Sequence, residues 1–419
     1  MARHSVKPAN LNLWQRLLVS VLGLVVAATA VGLVWLWPSS GPDTSEDFDR
    51  AYSLNQPRVT GTVTQVDSNA CASPATGTAF DTPPRTTAAE AAGAHDDSCR
   101  RALVDFEDGP DAGKMTQLVH YGVAGEPVLE VGDNITMTLS ENPGDGQAHY
   151  AFADYERSSA LWAWGLVVVA AILIFAAWHG LRSLIGLAFS LAIVFFFLLP
   201  AITTGQPIVP VTIVACAAIL VVAIPLVHGW NFKSASALAG SLIALAVATV
   251  VAIIAIRTSH LQGLSSEDNL KLLLYLPQLS VVGVLLAGFI VGALGGLNDV
   301  SIGQASTVHE LAAIDPEMPR RRLFISAMKV GRDHIASMVY TIVLSYTGAA
   351  LPLLLLISAA DASAGQVLSS DVIATELLRS GVGALSLVSA VPVTTLIAAF
   401  THSDPGPRDP NRPPAIHAH

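Results

Sequence analysis

Charged side chains are scarce in this chain of 419 residues, because Asp, Glu, Lys and Arg together make up 13% of it. An ordinary soluble domain carries about a quarter of its residues as charged side chains. Hydrophobic residues account for 52% of the chain, and the mean hydropathy is +0.55. These values exclude an ordinary soluble protein and indicate an integral membrane protein.

Cysteine is also scarce, with three residues. Cys71 and Cys99 bracket a stretch rich in Ala, Thr, Pro and Gly, and we predict that a disulfide joins them on the outer side of the membrane, where disulfides persist. Free thiols are the alternative. The two cysteines lack a nearby pair of histidines, so no metal site is predicted there. Cys216 lies in an apolar span, where it is expected only to pack.

The common catalytic motifs are missing from the sequence. It contains no glycine-rich nucleotide loop, no Gly-x-Ser-x-Gly and no Ser-x-x-Lys set, and His309-Glu310 lacks the second histidine of a zinc-protease helix. The sequence therefore predicts neither an enzyme nor a bound cofactor. It also offers no basic stripe with interleaved aromatics, so nucleic acid is not an expected partner.

Long apolar windows dominate the chain, and each is long enough to cross about 30 Å of hydrocarbon. We count eight of them in the sequence, at about 14–37, 160–179, 182–200, 207–228, 234–256, 273–297, 335–357 and 371–400. The predicted fold is a mostly α, polytopic membrane helix bundle of about eight transmembrane helices, joined to a small β-rich domain outside the membrane. The lipid bilayer is its first expected partner.

Basic residues orient these windows, since Lys and Arg in short loops concentrate on the cytoplasmic side. Lys7, Arg182, Lys233 and Arg321 all fall on one side when the windows are threaded alternately. Both termini are then cytoplasmic in a bacterial cell membrane. A cleaved signal peptide is the alternative for the first window, but its apolar run is long and lacks a small-residue cleavage site, which favours an uncleaved anchor.

Five segments follow from this threading. Residues 1–13 form a cytoplasmic amino terminus, 14–37 an anchor helix, 38–159 an outer domain, and 160–402 a membrane domain of seven helices that includes a cytoplasmic segment at 296–334; residues 403–419 form a disordered cytoplasmic tail. Residues 38–160 contain 20 acidic and 7 basic residues, so the net negative charge of the chain belongs to the outer domain. The simplest interpretation is a solvated surface.

The outer domain has the pattern of β-strands. Alternating or β-branched runs occur at 58–66, 102–106, 116–121, 128–139 and 149–155, with turn signals between them. Five short strands predict a small barrel, and the OB type is compatible with them.

Polar side chains cluster after the window at 273–297. If residues 299–311 are helical, Asp299, Ser306 and Glu310 share one face. Their oxygens would suit a proton or a hard cation. A commoner function for Asp299 would be to cap a helix over residues 300–311.

A second polar group precedes the next window. Arg332 and Asp333 follow a glycine, and an ion pair from Arg332 to Asp299 or Glu310 is as compatible with the pattern as a gate. Together, the two polar groups predict a solute or ion path along Asp299, Ser306, Glu310, Arg332 and Asp333.

Three glycines recur every four residues in the window before Asp299. Gly288, Gly292 and Gly296 would form a groove in which a neighbouring helix packs closely. The alternative is that they let backbone approach a solute or allow helix motion.

Two sequence motifs resemble a known family. Residues 292–295 read GALG, 298–300 read NDV and 304–311 read QASTVHEL, while residues 331–333 read GRD and 345–356 read SYTGAALPLLLL. Together they resemble the signatures of the YibE/F-like family of multi-pass bacterial membrane proteins, in its actinobacterial type. The resemblance implies seven membrane helices over roughly 160–400, preceded by the anchor and the β-rich segment, and it implies a permease.

The expected function is therefore a permease or transporter of an unknown solute, either cationic or proton-coupled. The alternative is an envelope scaffold that transports nothing and whose outer domain binds a partner protein. A homo-oligomer is compatible with either.

Overall fold

The structure is a computed structural model of the chain. It describes residues 11–39, 41, 48, 55–67, 73, 75–83, 99–141, 147–264, 266–359 and 363–402. Two compact units are present, one formed by Met1–Asp43 with Ile172–His419 and the other by Thr44–Ala171. They are described separately below.

The unit Thr44–Ala171 is built on one antiparallel sheet. Its strands are β1 (Arg58–Asp67), β2 (Ala79–Phe80), β3 (Arg100–Phe106), β4 (Met115–His120), β5 (Asn134–Glu141) and β6 (Ala148–Tyr155), in the order β2-β4-β3-β1-β5-β6. The five predicted strands are confirmed, with β2 as a short addition. The fourth predicted strand, which is β5 in the structure, begins at Asn134 rather than at residue 128, because Gly132 turns the chain with φ +97°.

The sheet curls so that its ends approach each other through Gly77. The Gly77 amide donates to the Gln117 carbonyl in β4 at 2.9 Å, and the Gly77 carbonyl accepts from the Tyr150 amide in β6 at 2.7 Å. Gly77 has φ +74°, and a Cβ there would lie 2.6 Å from the His149 ring, so this joint requires glycine. Alternate residues of the strands point inward, and the Phe106 and Tyr150 rings meet there at 4.4 Å.

The helices follow in chain order. They are α1 (Leu13–Trp35), α2 (Ser158–Ile193), a π-helical turn (Val194–Leu198), α3 (Leu199–Thr203), α4 (Ile208–His228), α5 (Phe232–Thr258), α6 (Glu267–Tyr275), α7 (Val281–Ile314), α8 (Arg320–Ala349), α9 (Leu351–Ala359), α10 (Ala364–Leu368) and α11 (Asp371–Thr401). Six helical runs in the described residues are long and apolar enough to cross a membrane, and the pair α8 and α9, bent by 66°, would be a seventh. The predicted count of eight is not confirmed.

Besides the bent pair, the difference from eight arises in one helical run. The predicted spans 160–179 and 182–200 lie in a single helical run, Ser158–Thr203, of 46 residues. The run is interrupted at Ala177, which has φ 45° and ψ −125°. A Cβ on Gly180 would lie 2.7 Å from the Ile172 carbonyl oxygen, whereas eight residues of straight helix separate atoms by about 12 Å. The run therefore bends sharply at Ala177.

Helix α7 is longer than the apolar window that predicted it. Its amino terminus is capped by Ser280, whose side chain accepts a hydrogen bond from the Gly283 amide at 3.1 Å. The helix then continues through the polar residues to Ile314, because no proline interrupts it before Pro316. Most of the predicted cytoplasmic segment 296–334 is thus helical, and α8 begins at Arg320.

Helices α5, α7 and α11 pack together as the centre of the bundle, with α1 and α4 on one side and α8 on the other. Small residues permit this close packing. Ala244 and Ala248 are fully buried in α5, and a Cβ on Gly240 would lie 1.9 Å from the Thr394 hydroxyl oxygen in α11.

Candidate functional site

Asp299 lies in the middle of α7, about 27 Å along the helix axis from Val281. The interpretation of Asp299 as a helix cap is therefore wrong, since the residues on both sides of it are helical. Its carboxyl group lies within electrostatic range of two imidazoles, His228 at the end of α4 and His334 in α8. We call Asp299, His228 and His334 the Asp299 cluster.

Two neighbours extend the Asp299 cluster. His228 also interacts electrostatically with Lys233 at the start of α5 and with His179, which follows the bend in α2. The His334 ring packs against Gly303, one turn beyond Asp299, where a Cβ would lie 3.3 Å from the ring carbon Cε1. The small residue at position 303 thus leaves room for the His334 imidazole against α7.

The other predicted path residues do not converge on Asp299. Ser306 and Glu310 share its helix face, but Glu310 lies about 16 Å further along α7. Arg332 and Asp333 are exposed on α8, and the ion pairs of the described residues include none from Arg332 to Asp299 or Glu310. Within the described ranges, no three His, Cys, Asp or Glu side chains are close enough to hold a metal ion.

Gln304 connects the two sequence motifs inside the bundle. It is fully buried, and its side-chain oxygen accepts a hydrogen bond from the Thr395 hydroxyl at 2.9 Å. A Cβ on Gly331 would lie 2.9 Å from the Gln304 side-chain nitrogen. The first motif therefore packs directly against the glycine of the second.

Several buried polar atoms near Gln304 have no hydrogen-bond partner among the described residues. They are the Gln304 side-chain nitrogen, the Asn298 side-chain oxygen and the hydroxyls of Ser301 and Thr394. A buried polar group without a partner costs about 1–3 kcal/mol. Exceptions of this kind concentrate at functional sites. The polar interior of the bundle thus lies one turn of α7 from the Asp299 cluster.

A charged pair in α11 lies beside the amino-terminal half of α7. Arg379 pairs with Glu376 in α11 at 2.9 Å, and its guanidinium lies 5.6 Å from the centre of the Phe289 ring. Tyr346 of α8 interacts electrostatically with both charges. These residues form a partly buried ion pair close to α7.

The three predicted packing glycines have different surroundings. A Cβ on Gly292 would lie 2.5 Å from the Tyr346 hydroxyl oxygen, and one on Gly296 would lie 3.1 Å from Leu387. Nothing lies within 4 Å of such an atom on Gly288. Close helix approach therefore occurs at two of the three positions.

The cysteines separate into two environments. Cys99 is buried at the start of β3 and is disulfide-bonded. Its predicted partner, Cys71, lies outside the described residues, so this pairing stays a prediction. Cys216 is a free, buried thiol in α4.

Sequence reasoning missed His228, His334, Gln304 and Thr395 as members of the site. His334 adjoins a predicted residue, so its position in the motif was a usable signal. His228 and Thr395 lie on other helices, and nothing in their local sequence indicates that they approach α7.

Apolar helices packed around a polar interior define a multi-pass helical membrane protein. A family model described as YibE/F-like protein matches residues 164–404, more than half of the chain. The chain belongs to the YibE/F-like family. Neither a curated protein nor a solved structure matched it.

Proposed function

We propose that the protein is a proton-coupled transporter in which Asp299 takes up and releases the coupling proton. The observation that carries this proposal is the Asp299 cluster, a carboxyl group in the middle of a bundle helix within electrostatic range of His228 and His334. Ionisable residues within membrane helices are costly, and they commonly mark proton relays or solute pathways. Imidazoles change protonation near neutral pH, so they suit exchange with a carboxylate.

The path of the solute is proposed to follow the face of α7 that Asp299 shares with the glycines. Gly288 is open, and Tyr346 lies against Gly292 beside the ion pair of Arg379 and Glu376. The route therefore has charged groups near both ends and small residues between them. A cationic solute fits the carboxylates at these ends.

We further propose eight spans with both termini in the cytoplasm of a bacterial cell. The bend at Ala177 would divide the run Ser158–Thr203 into two spans, and α8 with α9 would supply another. The side facing the basic loops would be cytoplasmic. The outer domain is proposed to be of the OB type, which its five long strands and its nearly closed sheet support.

Transport is tested with the full-length protein in liposomes that contain a pH-sensitive dye. A panel of inorganic and small organic cations is added outside, and the internal pH is followed. We expect at least one solute to move protons with the wild-type protein, and we expect Asp299→Asn to abolish this movement. Asp268→Asn, which changes a carboxylate of α6 outside the Asp299 cluster, is the matched control and should behave as wild type.

Two outcomes contradict the proposal. One is proton movement by Asp299→Asn at the wild-type rate, and the other is a wild-type protein that moves protons with none of the panel. The scaffold alternative predicts instead that deletion of residues 45–157 abolishes the cellular function while Asp299→Asn preserves it.

A further inference from the structure

A cavity of about 280 Å³ with basic and hydroxyl side chains in its lining lies at the end of the bundle where the described chain begins and ends. It lies between the first two turns of α1 and α5 and the carboxyl-terminal parts of α7 and α11. Its lining residues are Gln15, Phe232, Lys233, Ser236, Ala305, Val308, His309, Ala398, Thr401 and His402. None of the three members of the Asp299 cluster lines the cavity, although Lys233 lies within electrostatic range of His228.

The lining carries cationic and donor groups without a carboxylate. Lys233 supplies an ammonium group, and His309 and His402 supply imidazoles. Lys233 is partly buried and belongs to none of the ion pairs in the described part of the chain. It also lies in the first turn of α5, where the helix dipole adds partial positive charge. The cavity therefore favours an anion.

The wall of the cavity is held by hydrogen bonds between three helices. The Ser236 hydroxyl in α5 lies 3.0 Å from the Thr401 hydroxyl in α11. The Gln15 side-chain nitrogen in α1 donates to the Thr401 carbonyl oxygen at 2.9 Å. All three residues are buried. These contacts hold polar groups in place around the cavity, as a binding site requires.

Aromatic and basic residues next to the cavity favour a position at the membrane surface. The Trp14 ring packs on Phe400 at 4.9 Å, and the Arg320 guanidinium lies 5.6 Å from the centre of the Phe400 ring. Trp residues and basic side chains of this kind are typical of the boundary between hydrocarbon and water. Basic cavities between helices at this boundary bind the phosphates of lipid head groups.

We propose that this cavity binds a phosphate group, with Lys233 as its main charged contact and His309 as a second donor. Phosphate oxygens accept charge-assisted hydrogen bonds from ammonium and imidazole groups. The phosphate belongs either to an anionic lipid head group or to a small phosphate compound from the adjoining solution. The transport proposal does not include a phosphate ligand, so this site goes beyond it.

The test uses the full-length protein, purified in detergent and freed of bound lipid. Its melting temperature is followed by tryptophan fluorescence during titration with short-chain phosphatidylglycerol or with inorganic phosphate, at constant ionic strength. A neutral diacylglycerol is the control for chain binding. We expect phosphatidylglycerol to raise the melting temperature of the wild-type protein. The affinity of the protein for phosphatidylglycerol should fall about tenfold in Lys233→Gln, because a charged hydrogen bond is lost.

The variants are matched by position. Lys329→Gln removes an exposed lysine of α8 that does not line the cavity, so its affinity should equal that of the wild type. His309→Gln should weaken binding less than Lys233→Gln. Native mass spectrometry of the same samples counts bound phospholipid even if a variant melts differently.

The outcomes separate the two sources of phosphate. A response to phosphatidylglycerol alone identifies a lipid head group, whereas an equal response to inorganic phosphate identifies a soluble phosphate. No response to either, or equal affinity in wild type and Lys233→Gln, overturns the proposal.

Discussion

Gly331 lies where α8 meets α7 and α11. A Cβ there would lie 2.6 Å from a methyl carbon of Val391 and 2.9 Å from the Gln304 side-chain nitrogen. Gly331→Ala must therefore displace a buried neighbour. We expect it to lower the free energy of unfolding by about 1–3 kcal/mol, the usual cost of overpacking. The measurement is the melting temperature of the full-length protein in detergent.

The matched control is Gly348→Ala in the same helix. Nothing lies within 4 Å of a Cβ at position 348, and alanine favours helix over glycine by about 1 kcal/mol. Its melting temperature should stay constant or rise. An equal loss in both variants would show that close packing at Gly331 is not the cause.

We predict that His120, at the end of β4, makes the stability of the unit Thr44–Ala171 sensitive to pH. Its side chain is buried, and this burial lowers the pKa of His120, while the nearby Glu126 carboxylate partly opposes the shift. The unfolded chain then binds the proton more readily than the folded one. The contribution of neutral His120 to the free energy of unfolding is complete above about pH 6.5. It should be lost as the pH falls from there through the pKa of His120 in the folded protein.

The measurement is the resistance of the unit Thr44–Ala171 to limited proteolysis in the full-length protein between about pH 7.5 and 5.5. We expect cleavage to accelerate as the pH falls and His120→Gln to reduce this dependence. His149→Gln, an exposed histidine of β6, is the control. The same pH dependence in His120→Gln and wild type would contradict the assignment.

At the scale of residues, the sequence predicted the shared face of α7 but not the neighbours of that face. Asp299 and Glu310 lie on one side because helical spacing requires it. The approach of His228 depends on how α4 packs against α7, which no local pattern encodes. For the same reason Gln304 could not be linked to Thr395.

At the scale of elements, the bend in α2 has a measurable strain. Ala177 has φ 45° and ψ −125°, a conformation that residues with a Cβ adopt at a cost of about 1–3 kcal/mol. Ala177→Gly should relieve this strain and raise the melting temperature. Ala171→Gly, at an exposed helical position nearby, should lower it, because glycine disfavours helix by about 1 kcal/mol. A lower melting temperature in both variants would contradict a strained bend at Ala177.

Element ends were the least predictable feature. Hydropathy located α7 but placed its end near residue 297, because apolar character stops there while helical hydrogen bonding continues to Ile314. Hydropathy reports the surroundings of a helix, whereas prolines and caps determine where it ends. The strands were easier to predict, because the alternation of apolar and polar residues follows directly from the two faces of a sheet.

At the scale of the whole molecule, composition predicted a membrane bundle with a β-rich outer unit, and the structure has both kinds of element. The number of spans could not be settled in the same way. Two apolar windows with a short gap predict either two spans or one bent helix, and the difference depends on backbone conformation at Ala177.

Cysteine labelling of intact cells decides between these topologies. Single cysteines are introduced by Ser159→Cys and Gln206→Cys, before and after the run Ser158–Thr203, in a Cys216→Ala background, and a membrane-impermeant maleimide is added. Two spans that reverse at Ala177 return the chain to its starting side, so both cysteines should be labelled from outside. Trp230→Cys, in the exposed turn between α4 and α5, should react only after permeabilisation. A single long span would instead place residues 159 and 206 on opposite sides, with only one of them labelled in intact cells.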